Sequence, residues 1–143
     1  MPKFPTFRVR RVLQGLGGLL LALLLWACSS KPTGIDQGEL AARAAKIYYD
    51  SLAAGRFGCF YDGKLKADTV PESYRRQMMA LLKQYADNEL ERHKGIDSVR
   101  ISGSKYDERT QTADVFLTLV YGNKTREQVI VPMVRRDTLW YMR

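Results

Sequence analysis

The chain carries one histidine, His93, and two cysteines, Cys28 and Cys59. Metal sites draw several imidazole, thiolate or carboxylate ligands from short spacings, and an activated nucleophile needs a base beside it. This inventory supplies neither, and no glycine-rich phosphate loop occurs in the sequence. No metal and no cofactor is therefore expected. Cys59 lies in Arg56-Phe57-Gly58-Cys59-Phe60-Tyr61-Asp62-Gly63, where three aromatic neighbours predict a buried, inert thiol; a disulfide between Cys28 and Cys59 is the competing use of both residues. Eight tyrosines, five phenylalanines and two tryptophans are the richer resource. Tyr48, Tyr85, Tyr121 and Trp140 would give a concave site apolar area with polar tips, although the helical spacing of Tyr48 and Tyr85 fits core filling as well. Lys124, Arg126, Arg135, Arg136 and Arg143 gather positive charge near the C-terminus, either as a surface for anionic lipid or an acidic ligand or as a solvated face.

Three segments position these residues: 1–27, 28–37 and 38–143. Lys3, Arg8, Arg10 and Arg11 precede an apolar run, Val12 to Ala27, with no acidic residue before Asp36. That is the pattern of an export signal. The run holds 16 residues, short of the roughly 20 that cross a bilayer core as a helix, and Gly15, Gly17 and Gly18 weaken it further. Its end, Leu25-Trp26-Ala27-Cys28, resembles the bacterial lipoprotein signal, with Trp26 standing where a small or β-branched residue is usual. The resemblance implies that Cys28 is acylated through sulfur and becomes the mature N-terminus, and that Ser29, rather than an aspartate, directs the protein to the outer membrane, facing the periplasm. An uncleaved amphipathic anchor is the alternative. Each buried methylene adds about 0.8 kcal/mol to such an attachment. Residues 28–37 are polar and turn-forming and read as a tether, spanning about 17 Å if flexible. Removal of the leader leaves 19 basic against 15 acidic residues, a net charge of +4 instead of +8. Nucleic acid is accordingly not an expected partner.

Within residues 38–143 the periodicity changes once. Leu40, Ala44, Ile47, Tyr48 and Leu52 recur on one helical face behind an Asp36/Glu39 start that resembles a capping box, which predicts a helix over 37–54 ended by Gly55. The aromatic segment 56–63 is expected to form a turn over the core. Pro71-Glu72 opens a second helix, capped by Asp68 or Thr69, with Tyr74, Met78, Leu81, Leu82, Tyr85 and Leu90 as its apolar stripe and Gly95 as its stop. After Gly95 the period becomes two, predicting four strands around Val99-Ile101, Ala113 to Tyr121, Val129 to Val134 and Leu139 to Met142. Short connections make them an antiparallel meander, and Pro132 belongs at an edge or a bulge.

Two helices followed by four antiparallel strands is an α+β order. The chain here resembles the nuclear transport factor 2-like (cystatin-like) superfamily, and small bacterial lipoproteins of unknown function with such a domain. The carrying residues are Ala44-Ala45-Lys46-Ile47-Tyr48-Tyr49-Asp50-Ser51-Leu52 with Gly55, the helix from Pro71, Ala113 to Asn123, and Asp137-Thr138-Leu139-Trp140-Tyr141. The resemblance implies a curved four-stranded sheet wrapped against helices into a cone, often with a pocket at its open end. It also implies an isomerase option of ketosteroid-isomerase type, with Asp62 or Asp114 as base and Tyr61 or Tyr85 as donor. Asp-Gly turn chemistry at residues 62–63 and an outward phase for Asp114 speak against that option. Phe116, Val120, Ile130 and Val134 lie opposite the main apolar set, and a second apolar face is usually covered. A homodimer or a protein partner through the sheet would cover it, the alternative being that a strongly bent sheet or the loop around Phe60 does so within the chain. Together these readings describe a lipid-anchored, non-enzymatic binding or interaction module of the cell envelope.

Overall fold

Asp36 accepts hydrogen bonds at Oδ1 from the amides of Gly38 (2.9 Å) and Glu39 (3.4 Å), and helix α1 (Gln37–Ala53) begins there as the sequence predicts. The computed structural model describes residues 34–66 and 69–143; the leader, Cys28 and the tether before Gly34 lie outside the described residues. The buried face of α1 is turned about one residue from the expected stripe. Ala41, Ala42, Ala45 and Leu52 are buried, whereas Leu40 lies at the surface and Ile47 is 62% exposed. Small side chains let the helix axis approach the sheet closely, so the alanine face takes the contact and the bulkier pair is left outside. The approach is tight at its start: a Cβ on Gly38 would lie 2.8 Å from Ser104 Oγ.

The segment expected to be a turn is a short helix, α2 (Phe57–Asp62). Its period places Phe60 and Tyr61 inward, where both are buried, and Phe60 meets Tyr49 edge to face with centroids 5.4 Å apart. The same period turns Cys59 to the surface. Cys59 is an exposed free thiol, which corrects the expectation of burial: with 3.6 residues per turn, positions 57, 60 and 61 share one side and position 59 falls on the other.

Helix α3 (Glu72–His93) follows Pro71, which has no capping side-chain bond; Thr69 does not cap it, and Asp68 lies outside the described residues. None of its residues is fully buried. Leu82 packs against the core, while Leu81 is 50% and Leu90 61% exposed, so most of the predicted stripe runs along the surface. The helix ends at His93 and its cap, Lys94, stands one residue before the expected glycine. Lys94 is left-handed (φ 65°), its amide donating to Leu90 O (3.1 Å) and that of Gly95 to Glu89 O (3.0 Å), the paired closure that satisfies the last carbonyls. Among the described residues no helix is long and apolar enough to cross a membrane.

Strands β1 (Ile96–Asp107), β2 (Thr112–Tyr121), β3 (Arg126–Arg136) and β4 (Leu139–Met142) pair antiparallel in sequence order. Register shifts in β1 between Ile96 and Ser98 and between Ile101 and Gly103 bend the sheet around α1. The inner face carries Val99, Val115, Leu117, Leu119, Val131, Met133, Trp140 and Met142, all buried. Pro132 O accepts from Arg143 N (2.9 Å), just past the end of β4, so the proline nitrogen faces the same side and no bond to β2 is lost; the proline thus stands on an inner strand, where β4 ends, and not at the edge or bulge expected. The β4 edge is closed by residues 63–65, with Met142 N donating to Gly63 O (2.8 Å) and Leu65 N to Met142 O (2.7 Å), which removes a template for strand addition. The β2–β3 turn rests on the end of α3, and Gly122 is needed there because a Cβ would fall 2.5 Å from Lys94 O.

Two substitutions test this packing by denaturant unfolding of a soluble 29–143 fragment, residues 35–143 being one compact unit. Leu117→Ala is expected to cost about 2–5 kcal/mol through lost burial and a residual cavity. Gly122→Ala should cost about 1–3 kcal/mol by forcing the turn off α3.

Candidate functional site

The four aromatic residues expected to line a concave site, and Tyr61 and Asp62 of the isomerase option, divide among three places. Tyr48 and Trp140 belong to the body of the fold. Tyr48 donates to Trp140 O (2.8 Å) and its ring lies over Gly63, where a Cβ would stand only 2.5 Å from it. Trp140 is buried and meets Tyr106 edge to face at 5.9 Å. These two fill core, and Tyr48 holds α1 to β4.

Tyr85 and Tyr121 stand at the end of the sheet where α3 finishes. Tyr121 is buried, tilts against the His93 ring at 4.8 Å, and donates to Glu127 Oε2 (2.6 Å). Burial and then this carboxylate push the Tyr121 phenol far above its ordinary range. Tyr85 is raised by burial and by Glu89, with the Tyr121 hydroxyl opposing, and Tyr49 by burial and by Glu127. Tyr121 is thus the donor to Glu127, and Tyr85 and Tyr49 also feel its charge. Glu127 and Tyr49 are not among the site residues expected from the sequence. Glu127 carried a legible signal, because it is in phase with the inward residues Val129, Val131 and Met133, and a charge at an inward strand position is anomalous. Beside this group, Leu52, Tyr85, Glu89, Leu90, Lys94 and Ile96 line a cleft of 300 Å³.

Tyr61 and Asp62 lie at the opposite end of α3. Asp62 is exposed and bound by Arg75 (2.6 and 3.3 Å) and Lys66 (2.9 Å). Those hydrogen bonds, Arg75 first, hold its carboxyl at about 2, below the usual 3.8. A base that weak is far from the operating pH that proton abstraction favours. Asp114, the other expected base, pairs in register with Lys105 and Pro132 on the outer face and is exposed, away from the helices. Among the described residues no cluster of three or more potential metal ligands occurs.

On the outer sheet face, Gly103, Phe116 and Ile130 stand side by side in register, as do Thr112, Val134 and Tyr141. Phe116 leans over Gly103, whose missing Cβ would lie 4.0 Å from its ring. Phe116 and Val134 are half-buried, and Ile130 is 62% exposed. Val120 departs from the expectation of an open interface residue, being buried between Ser98 and Arg126 of the neighbouring strands. Ser102 and Thr118 share a hydrogen bond of 2.6 Å on this face. The C-terminal cations separate: Arg126 and Arg136 flank the apolar patch, while Arg135 alternates to the inner face, opposite Trp140, with its Nη1 3.5 Å from Gln111 Oε1.

The Asp62 pairs have a pH signature. Because the folded pKa is depressed, their contribution is present above the unfolded value near 4 and is lost as pH falls through about 2. Asp62→Asn should therefore show a slightly lower unfolding midpoint than wild type at pH 7, with the two curves converging between pH 4 and 2; a gap that persists at pH 2 contradicts the assignment.

No protein-family model matches the sequence, and no curated protein matches it. Among solved structures, the fold is similar to a crystal structure from Campylobacter jejuni, at 2.00 Å resolution, of a protein provisionally named as a nuclear transport factor 2-like transpeptidase. The two share 12% identity with a TM-score of 0.55, over 68% of this chain and 92% of that one. At that identity the likeness bears on architecture alone. With α1 held in a curved four-stranded antiparallel sheet, the protein has the nuclear transport factor 2-like α+β fold.

Proposed function

We propose that this protein is a lipid-anchored, non-enzymatic interaction module of the cell envelope, tethered through Cys28 and engaging a protein partner through the outer face of its sheet. The observation that carries this reading is the asymmetry of the sheet. Its inner face is packed under α1, whereas the outer face presents Ile130, Leu139 (58% exposed), Phe116 and Val134 with no helix over it among the described residues. Arg100, Lys105, Arg126 and Arg136 surround this patch against two carboxylates, Asp107 and Asp114. A second copy would bring two such positive rims together, so charge complementarity favours a partner with an acidic rim around an apolar centre. The lipoprotein-like end of the leader and the polar tether support an outer-membrane location facing the periplasm.

The rival is a small-molecule enzyme of ketosteroid-isomerase type. Its expected bases do not favour it, Asp62 being ion-paired and Asp114 turned away from the helices. The arrangement that keeps it alive is Glu127 beside the Tyr121, Tyr85 and Tyr49 phenols. A transpeptidase chemistry, as the structural neighbour's name suggests, would need a base beside exposed Cys59; the single histidine instead packs on Tyr121 and Asn123.

Two measurements test the proposal together. Mass spectrometry of protein extracted from membranes should find residue 28 as an acylated N-terminus, and the 29–143 fragment should sediment as a monomer at high micromolar concentration. An intact Met1 with an unmodified Cys28 overturns the anchoring, and a dimer that Ile130→Asp dissolves replaces the acidic partner by a second copy.

A further inference from the structure

β1 is the outer strand on the side of the sheet away from β4, and among the described residues no backbone hydrogen bond from another element reaches its free edge. The opposite edge is closed by residues 63–65, which leaves β1 as the place where a strand can be added. Alternation fixes which groups stand open there. Pro132 O accepts from Arg143 N (2.9 Å), so Pro132 turns its backbone toward β4. Its partner Asp114 then turns toward β1 and bonds Lys105, with which it pairs in register. Ser104 and Tyr106, on either side of Lys105, therefore direct their N–H and C=O groups outward. The register with β2 runs unbroken through Gly103–Asp107, the longest regular stretch of β1.

The side chains of this stretch alternate between the two faces. Gly103, Lys105 and Asp107 belong to the outer face, in line with Phe116, Asp114 and Thr112 of β2. Gly103 leaves a notch at the edge. The Phe116 ring leans over it, 4.0 Å from where a Cβ would stand, and Ile130 continues the row on β3. Ser104 and Lys105 are exposed, as are Arg100 and Ser102 before the notch, so solvent reaches this part of the strand. Arg100 and Lys105 flank the notch on the outer side, and among the described residues neither makes an ion pair.

We infer that the edge of β1 takes an added antiparallel strand: an extended acidic segment of the partner, with an apolar side chain opposite Gly103 and carboxylates toward Lys105 and Arg100. An extended backbone is what pairs a row of outward N–H and C=O groups, and alternate side chains then set the specificity. The apolar side chain reaches over Gly103 to Phe116 and prolongs the Phe116–Ile130 row by one strand. The two cations decide the sign of its flanks. The inference rests on reading the outer face as a partner surface, and adds the way that partner is held. A second copy fits the edge less well, because the outer positions of Gly103–Asp107 are glycine, lysine and aspartate and offer the notch no apolar side chain.

Amide hydrogen exchange of the 29–143 fragment, followed by NMR, tests this with a short acetylated and amidated peptide in which threonine alternates with glutamate, leucine and glutamate. At millimolar peptide the Ser104 and Tyr106 amides should exchange more slowly, while the Lys105 amide, already bonded to β2, should not change. A peptide N-methylated at the threonines opposite Ser104 and Tyr106 should lose that protection, and one with lysine in place of glutamate should bind more weakly. Lys105→Glu should weaken the glutamate peptide about fivefold. A peptide that binds in a manner sensitive to Ile130→Asp, without protecting Ser104 and Tyr106, would overturn the edge and spare the partner surface. No binding, protection that survives N-methylation, equal affinity for the glutamate and lysine peptides, or protection of the two amides by dimer formation in the free fragment would each overturn it as well.

Discussion

The close seat of α1 on the sheet governs the arrangement of everything else. Ala41, Ala42 and Ala45 are almost wholly removed from water against the layer formed by Val115, Leu117, Leu119 and Met133, and three methyl-sized side chains are what permit that approach. Once α1 occupies the concave side, little space remains at its centre. Larger aromatics are displaced toward the ends, with Tyr121 and Tyr85 gathered at the end of α3 and Tyr61 at its start. The tyrosines that looked like the lining of one pocket are thus held apart by a helix that fills the place such a pocket would take.

Much of this architecture was readable from period and turn chemistry. The bounds of α1, the four strands and their meander follow from alternation and caps. What period alone misjudged was orientation. Leu40 and Ile47 look like the core side of α1 to any hydrophobicity count, but helix-to-sheet distance selects the alanines. The same limit applies to Cys59, whose aromatic neighbours suggested burial while the phase of a short helix turned it outward. It also applies to α3, whose apolar stripe exceeds the surface the fold provides to cover it. The carboxylate of Glu127 stood at an inward strand position in plain sight.

Electrostatics distinguish the surfaces that remain. At the end of α3, the buried Tyr121 phenol donates to the Glu127 carboxylate, a neutral donor with negative charge beside it. Around Tyr61, Lys66 and Arg75 stand over the ring and share the Asp62 carboxylate. The outer sheet face combines apolar side chains with a rim that is mostly basic. These regions can serve different ligands without competing, since α3 separates the first two and the sheet itself stands between the helices and the third.

The asymmetric sheet is the feature on which the functional account rests, and hydroxyl-radical footprinting compares its outer face in two settings most directly. The account predicts that Phe116, Ile130 and Leu139 react much less in intact cells than in the purified 29–143 fragment, while Ile47 on the exposed side of α1 reacts equally in both. Equal modification of Phe116, Ile130 and Leu139 in the two settings would contradict it.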